Sequence, residues 1–346
     1  MRHFITGGSG FVGSHLVEAL CQQKQEVIVY DLVPLDPVYQ QRPGVRYIQG
    51  DIRDVSALTS AMQGADIVHH NAAVLPLGRP GSELTEVNVE GTRKVLEAAL
   101  ATNVRKVICL SSSSIFGIQD GTVLDDDAEP RPIDPYGASK AESEDVCKNF
   151  RKHHPLDVSI VRPCPIIGTG RMGIFGILFD WIARGKRVYV IGKGTNPYQF
   201  VSVDDLVSLC LLLANRPAKN EDFNAGSAGY GTSAGDLELL IAHSKTSARV
   251  CPIPATPARI ILQILDVLHM SPLVRYHYMT ADKPHCVSIK KAQQLLGWEP
   301  KETNIDALKR TYDWYIAHRE ELAMMQGSAH RTPLKQGILA LLRLFS

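Results

Sequence analysis

The sequence lacks most of what would take it out of the ordinary globular class. It contains no C-x-x-C, and its seven cysteines, at positions 21, 109, 147, 164, 210, 251 and 286, are scattered. That pattern is the one expected of reduced, buried thiols in a cytoplasmic protein. No charge of one sign dominates: 37 Lys and Arg stand against 36 Asp and Glu, for a net charge of +1. A basic footprint for nucleic acid is therefore missing, and no nucleic-acid partner is expected. No apolar run is long enough to span a bilayer. No signal peptide is expected before the first strand, and no internal repeat is visible. The doublets His69-His70 and His153-His154 suggest metal ligands at first sight. Adjacent residues on a strand point to opposite faces, however, and no Cys or carboxylate stands at ligand spacing, so no metal site is expected.

What is present is 346 residues, 45% hydrophobic and 21% charged, enough for a sizeable core. The short apolar run His3-Phe4-Ile5 leads into Thr6-Gly7-Gly8-Ser9-Gly10-Phe11-Val12-Gly13. Leu16, Val17 and Leu20 then follow with helical spacing. A strand that turns through glycines into a helix N-terminus is a phosphate site. Gly7 permits a tight turn, Gly10 lets the backbone approach a pyrophosphate, and Gly13 lets helix and strand pack closely. The free N–H groups and the dipole of the helix N-terminus attract the anion. A second strand, Glu26 to Tyr30, ends at Asp31, near the ~20-residue offset at which an acid meets an adenosine ribose.

Strand and helix signals alternate through the first half. Strands are expected at Val45–Gly50, Ala65–His70, Lys106–Leu110 and Val158–Val161, and helices at about Glu83–Thr102 and Tyr136–His154. Asp120–Pro135, which contains Asp125-Asp126-Asp127, is acidic and proline-rich and reads as a solvated loop. This alternation predicts an α/β fold: a Rossmann-type, doubly wound parallel sheet with a smaller C-terminal α/β substrate lobe. The expected division is a dinucleotide-binding domain over 1–165 with a return around 195–225, a substrate lobe over 166–194 and 226–326, and an amphipathic tail over 327–346. In the second half, helices are expected at Ile174–Arg184, after Asp204-Asp205, at Ala258–His269 and at about Asn304–Arg319, with a strand at Arg187–Ile191.

Tyr136 and Lys140, in Tyr136-Gly137-Ala138-Ser139-Lys140, fall on one face of a helix. The ammonium stabilises a phenolate, so the tyrosine can exchange a proton with a substrate hydroxyl near neutral pH. Ser112, at the end of the fifth strand, can hydrogen-bond the same oxygen.

These residues, with the glycine loop, resemble the extended short-chain dehydrogenases, the NAD-dependent epimerase/dehydratase superfamily. The resemblance covers roughly residues 1–320. It is also carried by Gly50-Asp51, Asn71-Ala72-Ala73, Asn88 to Thr92, Ser111-Ser112, Arg162-Pro163, Phe200 to Asp205, Phe223 to Gly226 and Leu296 to Pro300. It implies NAD as cofactor, with Ser112, Tyr136, Lys140 and Asn88 as the catalytic set and Asn88 supporting the lysine. It also implies that Gly7, Gly10, Phe11, Val12, Gly13, Asp31, Asp51, Ile52, Ala72, Ala73, Ser111, Tyr136, Lys140 and Pro163 hold the cofactor. In this likeness Asp51 and Ile52 flank the adenine and Pro163 lies beside the nicotinamide. It further implies a homodimer built from the helices at Glu83–Thr102 and Tyr136–His154.

Departures from the family pattern narrow the reaction. Dehydratases carry an Asp-Glu pair just after the catalytic Ser/Thr, and decarboxylases a Glu; this chain has Ser113 and Ser114. Neither can be the carboxylate that elimination needs. The arginines with which UDP-sugar epimerases clamp a diphosphate are replaced by Tyr198 and by Tyr278-Met279. Arg162, Arg171, Arg184, Lys193 and Arg275 are the candidates to substitute for them. The Arg162-Pro163 start and the aliphatic Ala258–His269 segment look more like the 3β-hydroxysteroid dehydrogenase side of the superfamily. Three readings follow. One is an epimerase of a nucleotide- or lipid-linked sugar, acting by transient oxidation of a ring hydroxyl. The second is a net dehydrogenase of a steroid-like lipid alcohol, and the third a non-catalytic NAD-binding regulator. The tail from Leu334 to Phe345 is apolar, interrupted by Lys335 and Arg343. It suits either peripheral contact with a membrane or packing on protein.

Overall fold

The computed structural model describes residues 1–75, 81–119, 123–170, 173–216, 219–268, 270, 273 and 275–324. The apolar tail at 334–345, Arg171 and His269 lie outside these residues.

Seven strands form the main sheet: β1 (Arg2–Thr6), β2 (Glu26–Asp31), β3 (Val45–Gln49), β4 (Ile67–His70), β5 (Lys106–Leu110), β6 (Asp157–Pro163) and β10 (Asp222–Ala225). Four short strands lie outside it, β7 (Ile166–Ile167), β8 (Arg187–Ile191), β9 (Val201–Ser202) and β11 (Arg249–Ile253), paired as β7 with β9 and β8 with β11. The main sheet is parallel throughout, in the order β10-β6-β5-β4-β1-β2-β3. Its central strands are covered on both faces and so read as unbroken apolar runs; Val27, Ile28, Val29 and Tyr30 of β2 are all buried. Two apolar clusters flank the sheet, one around Leu16, Leu20 and Leu206, the other around Leu58, Leu96 and Val146. A third, around Phe179, Leu240 and Tyr312, sits in the C-terminal part. Strand order reverses between β1 and β4, which opens a crevice at the carboxyl ends of the strands.

The Leu296-Gly297-Trp298-Glu299-Pro300 stretch ties that C-terminal part to the sheet. Gly297 ends the helix Lys290–Leu296 at φ +66°, the left-handed cap that glycine adopts without strain. Trp298 is then buried, donating from Nε1 to Ser208 Oγ at 2.9 Å. The Asp205 carboxylate accepts from the N–H groups of Lys301 and Glu302.

Two expectations require correction. The stretch expected as one helix from Glu83 to Thr102 is π-helical over Leu84–Gly91 and α-helical only over Thr92–Ala101. Thr92 Oγ1 donates to the Asn88 carbonyl at 2.6 Å, the acceptor that the Thr92 amide would use in an α-helix. The wider turn keeps Asn88 fully buried beside the site. The acidic loop is not simply solvated either. Leu124 donates to the Cys286 carbonyl, and the Asp126 carboxylate accepts from the Asn224 amide. Burial raises the Asp126 pKa, while Asp125 and Asp127 remain exposed.

Candidate active site

One cavity of about 1210 Å³ runs from the glycine loop past Tyr136 into the C-terminal part of the chain. At its first end the backbone sits too close for side chains. Gly7 has φ +70°, and a Cβ there would lie 2.7 Å from the Ala72 nitrogen. A Cβ on Gly13 would lie 2.2 Å from the Gly7 carbonyl oxygen. At Gly10 the same atom would meet only that oxygen, at 3.2 Å, so this face is left open to the cavity. The Asp31 carboxylate, at the end of β2, accepts from the amides of Ser9 (2.9 Å) and Val33 (3.0 Å), which fixes it at the cavity wall. Asp51 and Ile52 line the wall beyond. The hydrogen bonds from Arg53 hold the Asp51 carboxyl below its usual pKa. Ala72, Ala73, Ser111, Phe11, Val12 and Pro163 also line the cavity, as the sequence led us to expect.

Two buried polar atoms in this wall, Ser111 Oγ and Asn71 Nδ2, have no hydrogen-bond partner within the protein. Buried groups of this kind are rarely left unsatisfied. With the open glycine cradle and the Asp31 carboxylate at the cavity wall, these free donors fit a dinucleotide.

Tyr136 and Lys140 lie in the first two turns of the helix Pro135–His153, and both line the cavity. Asp134 caps that helix, its Oδ1 accepting from the Gly137 amide at 3.0 Å, and Pro135 opens it where its missing N–H costs nothing. Lys140 is 6% exposed and donates from Nζ to the Leu110 carbonyl at 2.8 Å. Burial lowers its pKa to about 8, against smaller opposing effects of Cys109, Cys147 and Glu144. Ser112 caps the short turn Ser113–Phe116, its Oγ accepting from the Ser114 amide at 3.2 Å. That bond uses an oxygen lone pair and leaves the hydroxyl proton for a ligand.

The Asn88 side chain is held by three hydrogen bonds: Oδ1 accepts from Val74 N at 2.8 Å, and Nδ2 donates to the Val74 carbonyl and to Ser139 Oγ, each at 3.0 Å. Ser139 Oγ in turn donates to the Tyr136 carbonyl at 2.8 Å. Asn88 therefore clamps the end of the β4 loop to the helix that carries Tyr136. The histidine doublet nearby is structural: His69 bonds His3, and His70 bridges Thr6 and Thr92.

The buried pair Ser113 and His285, whose Oγ and Nε2 are 2.9 Å apart, was not visible in the sequence; Ser113 lines the cavity. His285 arrives from 172 residues away in no motif, so only the fold could bring it here. Burial lowers its pKa to about 4, and it is a neutral imidazole at pH 7.

The far half of the cavity is mostly apolar, with Ser233, Asp236, His277 and Thr280 as its polar lining. Ile174, Phe175, Ile177, Leu178 and Trp181 come from the helix Gly173–Ala183, and Val188, Tyr189 and Ile191 from β8. Ala258, Ile261, Leu262 and Leu265 come from the helix Ala255–Val267. Among the described lining residues the Lys and Arg side chains are those of Lys140 and Arg53 alone. The candidates for a diphosphate clamp are placed elsewhere. Arg162 is buried and paired in fork geometry with Glu144, and Arg184 is paired with Asp180. Lys193 and Arg275 do not line the cavity. Tyr198, which stands where an arginine was sought, does line it and is half-buried, and desolvation there pushes its phenol pKa upward.

Comparisons with known proteins agree with this fold. An uncharacterized protein of Sinorhizobium fredii is 37% identical over 98% of this chain and 84% of its own length. The sterol-4-alpha-carboxylate 3-dehydrogenase, decarboxylating, of Mus musculus is 28% identical over 89% of each chain. A UDP-glucose 4-epimerase of Thermotoga maritima, solved with UDP-glucose, shares the fold with a TM-score of 0.77 at 24% identity, over 92% of this chain and all of the other. The model of the NAD dependent epimerase/dehydratase family matches residues 3–226. The chain belongs to the NAD dependent epimerase/dehydratase family.

Proposed function

We propose that this protein oxidises a secondary alcohol carried on an apolar body, with NAD as the redox partner. The observation that carries this reading is the far half of the cavity, which offers aliphatic and aromatic walls where a nucleotide sugar would need cations to meet its diphosphate. The name of the mouse relative, a sterol dehydrogenase, points the same way.

Bound in the glycine cradle, NAD would supply the hydride acceptor. The protein's own part is proton chemistry and positioning. Tyr136 takes the hydroxyl proton of the substrate as the carbonyl forms, and Ser112 donates a hydrogen bond to the same oxygen. The Lys140 ammonium, held by the Leu110 carbonyl, stabilises negative charge on the phenol oxygen. Asn88 and Ser139 hold the first turn of the Tyr136 helix in register. Ser113 and Ser114 supply no carboxylate at the next positions, so oxidation is not followed by an acid–base elimination of the dehydratase kind.

The same oxidation begins an epimerase cycle, and an epimerase of a lipid-linked sugar is the runner-up. Incubation with NAD and a panel of 3β-hydroxysteroids, polyprenyl-linked sugars and UDP-sugars separates the two. The expected result is stoichiometric NADH with an apolar alcohol. Inversion of a UDP-sugar without net NADH would overturn the reading.

Asp31 further implies preference for NAD. Its carboxylate would accept from ribose hydroxyls and repel a 2′-phosphate, and Leu32 and Val33, which follow it, offer no compensating cation. NAD is expected to bind at least about tenfold more tightly than NADP in a calorimetric titration, about 1.4 kcal/mol. Equal affinities would refute the assignment.

A further inference from the structure

The helix Ala255–Val267 has two apolar faces, of which one is bare. Ala258, Leu262 and Leu265 face inward and line the cavity. Ile260, Ile261, Ile264 and Val267, with the capping Leu268, recur at helical spacing on the other side and are 53–72% exposed. Met270, just beyond, is 48% exposed. Single exposed aliphatic residues are ordinary, but a row of five on one helix face is not. Nor is the helix loosely attached: Arg259 pairs with Asp282, and Asp266 accepts from the Tyr278 hydroxyl at 3.0 Å.

We propose that this face is the surface by which the protein docks on an anionic phospholipid bilayer, and that substrate enters from the bilayer beside the helix. The inference rests on the apolar-substrate reading above. Two observations commit it to lipid. First, the bare face is continuous with the cavity: Ile261 is 57% exposed and also lines the cavity wall. A protein partner would cover this face without accounting for that continuity. Second, the segment that carries the face is net basic. Between Arg249 and Lys283 four cations stand against two carboxylates, and those two, Asp266 and Asp282, are occupied by Tyr278 and Arg259. Exposed Arg249 and Arg275 are left to meet anionic head groups. The helix is 13 residues long and would lie in the interface rather than cross it. The apolar tail at 334–345 lies outside the described residues.

The test is flotation of the full chain with phosphatidylcholine vesicles, with and without phosphatidylserine. Binding is expected, and is expected to strengthen with phosphatidylserine. Ile264→Asp/Val267→Asp should lower the partition coefficient about tenfold or more, because both side chains leave hydrocarbon. Neither residue lines the cavity, so NAD affinity and melting temperature should stay as in the native chain; Val267→Asp alone is the milder variant should the pair fail to fold. Leu239→Asp, at a residue 53% exposed on another helix, should leave binding unchanged. Three results would overturn the proposal: a native chain that does not float, a double variant that floats as well as the native chain, or a native oligomer that the double variant breaks into monomers. The first two would remove the face or assign binding to the tail, and the third would make the face a contact between copies. Vesicle binding without oxidation of any detergent-dispersed alcohol would sink the proposed activity and leave the docking face standing.

Discussion

Tyr136→Phe is expected to abolish turnover, by about 10²–10⁴-fold, the usual contribution of a positioned acid–base group. The loss should fall on kcat, because the variant removes one oxygen and leaves the rest of the cavity intact. Tyr136 stands in the first turn of a helix fixed by the Asp134 cap and by the Asn88–Ser139 clamp, so the phenyl ring should keep its place. The dinucleotide end is built from other elements: the glycine loop after β1, Asp31 at the end of β2, and the Ala72–Ala73 stretch after β4. NAD affinity should therefore change by less than about threefold, under about 0.7 kcal/mol. Measuring NAD binding by fluorescence and turnover by NADH formation separates the two effects. Near-native turnover in the variant would refute the proton path, whatever the substrate proves to be.

The features of the proposed cofactor site were legible in the sequence because each rests on short-range geometry. A tight turn with φ +70° at Gly7 and a helix packed against it at Gly13 demand glycine at fixed offsets, so the motif is visible without the fold. Tyr136 and Lys140 are one helical turn apart, and helical spacing alone sets them side by side. The sheet was legible for a similar reason, since strands covered on both faces must be apolar throughout. What the sequence hid depends on long-range placement or on a change of helical type. His285 reaches Ser113 only because the chain returns past Tyr198. The π-helical turns at Leu84–Gly91 have no periodicity that distinguishes them from an α-helix over eight residues. Arg162 looked available to a diphosphate because nothing in its neighbourhood along the chain reveals Glu144 and Asp222 as its partners.

The apolar character of the substrate half was only partly legible. The helices Gly173–Ala183 and Ala255–Val267 are rich in aliphatic residues, which in a sequence means core as readily as cavity. The fold separates the cases: Phe179 and Ile182 are buried in the third apolar cluster, while Ile174, Ile177 and Trp181 of the same helix line the cavity.

Lys140→Met is expected to do two opposite things, to remove activity and to stabilise the protein. The lysine is buried, and that burial lowers its pKa from 10.5 to about 8. Keeping it charged in the fold therefore costs on the order of 3 kcal/mol at pH 7, where it is protonated in the folded and unfolded chains alike. Methionine has a similar unbranched stem and no charge to desolvate. The loss of the hydrogen bond to the Leu110 carbonyl offsets about 1 kcal/mol of that gain. A net stabilisation of roughly 2 kcal/mol remains, enough to raise the melting temperature by a few degrees. The sign of the pH dependence is fixed by the direction of the shift. Below about pH 8 the penalty on the native chain is complete; it fades as the folded lysine loses its proton ahead of the unfolded one, and is gone above 10.5. The stability gap between variant and native chain should thus be widest near neutrality and close between those two values. Turnover should fall about 10²-fold or more near neutral pH, where the native lysine is charged, and the deficit should narrow above about pH 8, where the native lysine loses its own charge. Melting curves of cofactor-free protein at pH 7 and at about pH 10 provide the test. A variant no more stable than the native chain at pH 7 would mean that the lysine charge is compensated within the fold. Lys140 would then be a structural cation, and its role in holding charge for Tyr136 would need another explanation.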